Sequence, residues 1–376
     1  MQNDMPTISK NRNFKLRALL QGHTGSVACL AAHPLGTLLA SGGEKGTQIW
    51  DLRNGEQLNS PTNGAERGAT LAITFITRTD DTDDGLAFGT DDGWLSIWRR
   101  RGNNDFAEVY CNRLEGGKDG QEISAMAYDI KSCQLVVAHR SEKIHRFVID
   151  AEMQPTKICS VRIANHYPQA VAFGQTAARG PEIWSFGRDD GKIHVLDEEG
   201  KIVKTKTTGV VIGHAAIHVR DDTFIVNDVS QGVGLYKLSS TDRIKTFEVS
   251  TDKLLPRNVC FHEDGSTIVI GSDNGRVYVF DRRTGEVGDI IDIGVHEWTQ
   301  SLATVEVEGV PLIIVGDSGD HAGNTPLQIW EKVKVKVPAS DEGGGRKVGG
   351  GFNWLQFICI LLSILFVLEN VLVSAM

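Results

Sequence analysis

Ser318 lies between Gly and Asp on one side and Gly on the other, in Gly316-Asp317-Ser318-Gly319, a context that suits a nucleophile. A hydroxyl attacks only when a base lies within hydrogen-bond reach, and no histidine is placed by spacing to serve it. Gly and Asp are also what tight turns need, so the motif reads as a turn. His214 and His218 stand four apart in HAAIH, which puts both on one face of a strand. Two imidazoles without a third ligand do not make a metal centre, and the pair reads as packed side chains. Cys29, Cys111, Cys133, Cys159, Cys260 and Cys359 form no Cys-x-x-Cys pair and read as small core residues of a reducing compartment. The glycine-rich stretch 341–351 is followed by no Lys-Ser/Thr, so it is not a phosphate loop. The expectation is a protein with no catalytic residue, no cofactor and no metal, and not an enzyme.

The composition limits the alternatives further. The chain has 376 residues, of which 40% are hydrophobic and 41 are glycine, with a formal net charge of -9. That length exceeds a single ordinary core, and the glycine content suits a fold with many tight turns. Setting aside the four basic and three acidic side chains from Lys334 onward leaves -10 on residues 1–333. An acidic body is poorly suited to nucleic acid, which needs a basic stripe to displace counterions. The opening MQNDMPTISK has no apolar core and is not expected to direct secretion.

The elements that hold these residues follow a repeat. The stretch Leu20 to Leu52 opens on Gly22-His23 and closes on Trp50-Asp51, with turns at Pro34 to Gly36 and Gly43 to Gly46. Pairs equivalent to Trp50-Asp51 recur at Trp98-Arg99, Phe147-Val148, Leu196-Asp197, Tyr236-Lys237, Phe280-Asp281 and Trp330-Glu331. Their spacings are 48, 49, 49, 40, 44 and 50 residues by subtraction. Short alternating strands separated by Asp-Gly or Asn-Gly turns, as at Asp92-Gly93, Asp190-Gly191 and Asn274-Gly275, fill each interval. The excess over the ~40–45 residues of a four-stranded blade falls in loops such as the acidic Thr77 to Asp84.

This pattern resembles the WD-repeat β-propeller family over roughly residues 14–333. The resemblance implies an all-β, seven-bladed propeller. The segment Asn13 to Leu20 would supply the outer strand of the last blade and close the ring, because an open propeller leaves an unpaired edge. It also implies a structural hydrogen-bonded chain across each blade. The members expected here are His23, Ser41 and Trp50 in blade one, Asp92 and Trp98 in blade two, Ser185 and Asp190 in blade four, and the strand-three Trp330. No blade shows the full set. Phe88 stands at the Ser position of blade two and Leu196 at the Trp position of blade four.

Expected domains are residues 1–12 as a disordered N-terminus, 13–333 as the propeller, 334–352 as a flexible glycine-rich linker and 353–376 as a transmembrane helix. The span from Trp354 to Met376, with Leu355, Phe357, Ile360, Leu365 and Leu368, would be about 35 Å long as a helix. Its fourteen Leu, Ile, Phe and Val residues favour insertion by roughly 6 kcal/mol, against at most ~3 for Glu369. Lys332, Lys334, Lys336, Arg346 and Lys347 precede it and no base follows, which places the propeller in the cytosol, at the endoplasmic reticulum or another tail-anchor target.

The function expected is a membrane-anchored scaffold that docks other proteins or peptides. The alternative is an exchange factor for a small GTPase at the endoplasmic reticulum, as in propellers of similar layout that serve vesicle coats. Those use an extended glycine-rich loop near the N-terminus, where this chain has only the short Gly43 to Gly46 turn. The partner surface is expected at Asp317, Asp320 and His321 in the long last turn and at an exposed Arg99-Arg100-Arg101 run. Aspartates in the turns between second and third strands would suit a basic peptide, although turns favour Asp in any case.

Overall fold

The computed structural model describes residues 13–23, 25–60, 67–102, 105–114, 122–175, 180–294, 298–319 and 326–333. They form seven four-stranded antiparallel sheets. Blade one is β2 (Val27–Ala32), β3 (Leu38–Gly43), β4 (Gly46–Asp51) and β5 (Gln57–Leu58). Blade two is β6 (Thr70–Ile76), β7 (Asp84–Thr90), β8 (Trp94–Arg100) and β9 (Ala107–Arg113). Blade three is β10 (Ile123–Asp129), β11 (Gln134–His139), β12 (Lys143–Ile149) and β13 (Pro155–Arg162). Blade four is β14 (Pro168–Gly174), β15 (Glu182–Gly187), β16 (Lys192–Leu196) and β17 (Ile202–Thr207). Blade five is β18 (Ile212–His218), β19 (Thr223–Asp228), β20 (Gly232–Lys237) and β21 (Arg243–Glu248). Blade six is β22 (Val259–His262), β23 (Thr267–Ile270), β24 (Arg276–Asp281) and β25 (Val287–Asp292). Blade seven joins β26 (Ser301–Val307), β27 (Val310–Gly316) and β28 (Leu327–Lys332) to β1 (Phe14–Leu20).

The first strands of the blades form the inner ring: each touches the next, and β26 returns to β2. The second strands are buried on both faces, as in LLASGG, EIWSFG and TFIVND, because each blade lies between two others. Their apolar runs are therefore continuous instead of alternating. The core clusters cross the blade boundaries. Trp50 and Leu39 of blade one pack with Leu312, Ile314, Leu327 and Ile329 of blade seven.

A bulge recurs near the start of the first strand in blades one to five, leaving Ala28, Leu71, Ser124, Gln169 and Gly213 out of the ladder. A bulge turns the extra residue away from the ladder direction. Ala28, Leu71, Ser124 and Gln169 accordingly line the central channel with His214 and Gln300.

Ring closure is an antiparallel pairing of β1 with β28, Phe14 opposite Lys332 and Leu20 opposite Leu327. The N–H of Val333 donates to the carbonyl of Asn13 at 2.7 Å, and Asp289 of blade six accepts from the N–H groups of Asn13 and Phe14. A second seam joins blades seven and one: Val27 N–H donates to Asp317 O at 2.7 Å, while the Ser301 and Ser318 hydroxyls both donate to Val27 O.

The compact unit that holds the propeller ends at Lys334. The predicted linker and span, Trp354, Leu355, Phe357, Ile360, Leu365 and Leu368 included, lie outside the described residues, as does the predicted N-terminal segment 1–12. Among the described residues no helix is long and apolar enough to cross a membrane.

Candidate functional site: blade networks and loop faces

Blade one holds a short hydrogen-bonded chain. His23 Nδ1 lies 2.8 Å from Ser41 Oγ, and burial pushes the imidazole below its ordinary pKa. The Trp50 indole N–H donates instead to Gln21 O at 3.3 Å. Gly43 makes room for the ring: a Cβ there would sit 2.8 Å from His23 Nε2.

Blade four is more complete than its sequence suggests. His166 Nε2 lies 2.8 Å from Ser185 Oγ, and its Nδ1 lies 2.8 Å from Asp190 Oδ2. Gly187 clears the space as Gly43 does, since a Cβ there would sit 2.5 Å from His166 Nδ1. His166 was missed from sequence for two reasons. It follows Asn165 instead of Gly, with Asn165 taking the positive φ of 58°. It also stands two residues before its strand, where His23 stands four before Val27. The legible signal was Ser-x-Gly, shared by Ser41-Gly42-Gly43 and Ser185-Phe186-Gly187.

The order Ser185–His166–Asp190 is that of a hydrolase relay. Ser185 and His166 are both 0% exposed, so no substrate carbonyl reaches the hydroxyl. Burial also lowers the His166 pKa more than Asp190 raises it, which favours the neutral ring. His194 stacks edge-on at 4.6 Å, and His166, Asp190 and His194 bring ligand atoms within 4.8 Å of one another. Both His166 nitrogens already face Ser185 and Asp190, and His194 Nδ1 faces Thr205 Oγ1 at 2.9 Å. The cluster is a self-satisfied polar network inside the blade.

Blade two departs from the expectation. The Asp92 side chain is 60% exposed and 3.9 Å from Arg113, outside any blade network. Trp98 is buried, with no partner for its indole N–H, and packs edge-on against Phe88 at 4.7 Å. An aromatic side chain at the Ser position removes the acceptor and offers a ring face instead. Trp330 of blade seven is half-buried and donates to Gln328 Oε1 at 3.0 Å. The Ser318 hydroxyl is taken by the ring seam, donating to Val27 O at 2.7 Å, which leaves the Gly-Asp-Ser-Gly motif a structural turn.

The WD40 family (WD domain, G-beta repeat) matches residues 14–51 and 242–281. Two stretches of the chain match the WD40 repeat. Each matched stretch starts on the outer strand of one blade, β1 or β21, and runs through three strands of the next, so the repeat is offset from the blade. A segment of 49 residues is 51% identical to the small ribosomal subunit protein RACK1z of Arabidopsis thaliana, 13% of this chain and 15% of that protein. The same figures hold for RACK1 of Brassica napus. The ribosome biogenesis protein erb1 of Botryotinia fuckeliana (strain B05.10) is 43% identical over 73 residues, 18% of this chain and 10% of that protein. The chain therefore aligns with 15% or less of the length of these relatives.

The loop faces of the propeller differ from the expected partner surface at the arginine run. Arg99 is 8% exposed, not at the surface. It donates to Asp83 at 2.7 Å and Glu152 at 2.6 Å, with Asp81 at 3.4 Å. The acidic insertion Thr77 to Asp84 is thus in part a counter-charge for Arg99 across the joint of blades two and three. Arg100 leans over Phe106, and Arg101, 66% exposed, pairs with Glu152 at 3.0 Å. Asp317 is fixed by its own turn, accepting from Gly319 N–H at 2.9 Å. Asp320 and His321 lie outside the described residues.

Proposed function

We propose that this protein is a non-enzymatic docking platform, a WD40 propeller held on the cytosolic face of a membrane by a single span within residues 353–376. One observation carries the docking half. In the Ser185–His166–Asp190 constellation the hydroxyl and the imidazole are fully buried inside blade four, while β1 pairs with β28 to close the ring that carries the loops between strands. A ring that needs no ligand to close is suited to holding loops in fixed register for a partner. The membrane half rests on the length and apolarity of Trp354 to Met376 and on the basic residues before it. The RACK1 and erb1 relatives are named for ribosomal roles, and the short shared stretch supports the repeat rather than the partner. Gly43 pairs with Gly46 across a two-residue hairpin, which favours the platform over an exchange factor that works through an extended loop at this place.

Fractionation with carbonate extraction, and protease added to intact membranes, tests the reading. The full chain should resist carbonate, its propeller should be digested from outside, and removal of 354–376 should release it. A full chain washed off by carbonate, or a protected propeller, overturns the membrane half.

A further inference from the structure

A cavity of about 230 Å³ opens where the turn after β11, the turn after β15 and the loop entering β14 meet. Arg140, Arg188, Tyr167, Gln169 and Asp189 line it. It is a basic pocket on an otherwise acidic propeller. The backbone builds it firmly. Arg140 N–H donates to Glu122 O at 2.9 Å, and Arg188 N–H donates to Tyr167 O at 3.0 Å. Glu142 ties the neighbouring loop, accepting from Asn165 N–H at 2.7 Å and from Arg162 Nε at 2.9 Å. Gln169 is the bulged residue of β14, which is why it leaves the ladder and lines the pocket.

The guanidinium groups are not saturated. Arg140 is paired through one nitrogen with Glu122 at 2.7 Å, and Arg188 Nε stands 3.7 Å from Asp189, beyond hydrogen-bond length. The Nε atoms of both arginines are shielded from solvent and have no hydrogen-bond partner. Each guanidinium presents five N–H donors in a planar fork that matches an oxyanion. The Tyr167 ring, 39% exposed, adds an apolar wall beside them.

We propose that this pocket between blades three and four binds an anionic side chain, carboxylate or phosphoryl, of a partner peptide, its oxygens taken by Arg140 and Arg188 and its stem by Tyr167. The proposal rests on the platform reading and names the partner chemistry for one place on it. Glu122 and Asp189 compete with the ligand for the same donors. They set a modest affinity that falls with salt, and they give the test a sign: removing Asp189 strengthens binding while removing either arginine weakens it.

The experiment is fluorescence anisotropy of a labelled polyglutamate peptide and a labelled phosphoserine peptide on the full chain in neutral detergent, with polyserine as the control. Arg140→Gln and Arg188→Gln should each weaken the better of the two by about tenfold, the worth of one charged hydrogen-bonding partner. Asp189→Asn should tighten it. Arg140 and Arg188 are surface side chains, 40% and 38% exposed, so unchanged circular dichroism confirms that the variants fold. The tighter peptide identifies the oxyanion source. Both peptides binding no better than polyserine, or affinities indifferent to the two arginines, overturns the proposal. A partner captured on membranes by both wild type and Arg188→Gln removes only the pocket, whereas a platform that captures nothing removes the reading beneath it.

Discussion

Burial lowers the pKa of the His262 imidazole to about 4, against an ordinary value of 6.5. Desolvation is the main cause; Glu263 opposes it and Lys332 adds to it. The folded state therefore prefers neutral His262, and its contribution is complete above the unfolded value near 6.5. It is lost as pH falls from there toward 4, at a cost of roughly 3 kcal/mol once both values are passed. His214, in the channel wall, is lowered to about 4 by burial in the same sense. The melting temperature should be flat from neutral pH upward and fall steeply below about 6.5. His262→Gln should flatten part of that fall. An acid limb of unchanged slope in His262→Gln would show that this ring does not carry it. The ring lies 6.4 Å from that of Phe14, so the loss acts where the propeller closes.

At the scale of elements, local signals were enough for most strands. The first member of each of the seven sequence-aligned pairs falls on a third strand, β4, β8, β12, β16, β20, β24 or β28, because apolar alternation and Gly turns are written within each unit. The blade networks were harder to read. A polar chain across a blade depends on where a loop of variable length delivers its histidine, so His166 was invisible to a search by spacing. Asp92 has the right residue type but its side chain points to solvent. The strand most exposed to a simple test is β1. Without it, β28 presents an unpaired row of N–H and C=O groups, a template for pairing with other chains. Deleting residues 1–20 should convert the propeller to higher oligomers or aggregates on size exclusion. A monodisperse monomer with native strand content would show that β1 is dispensable for closure.

The described propeller is a ring whose two ends, at residues 13 and 333, lie side by side. Asn13 and Val333 are hydrogen-bonded at 2.7 Å, and the N-terminal strand pairs with β28 in blade seven. Ends that meet at the surface tolerate reconnection. A circular permutant of residues 13–333, joined by a short glycine linker and reopened in the Arg282–Gly285 turn of blade six, should keep its strand content by circular dichroism and melt within roughly 5 °C of the parent. A permutant that fails to fold would mean that the β1–β28 edge is a required folding nucleus, not merely a closure.

The sequence by itself determined the strand period, the seven units and the N-terminal strand that completes the last one, because these follow from periodicity and turn chemistry between residues close in the chain. The tertiary structure alone decided which polar groups meet. Arg99 appeared to belong to an exposed basic run until the fold brought Asp83 and Glu152 onto it. Ser318 read as a turn residue from the sequence, and only the closed ring supplied its partner, the Val27 carbonyl near the other end of the chain. Arg140 and Arg188 share a pocket because adjacent blades place their turns together. Electrostatic partners at such separations are set by the closing of the ring, and no local pattern encodes them.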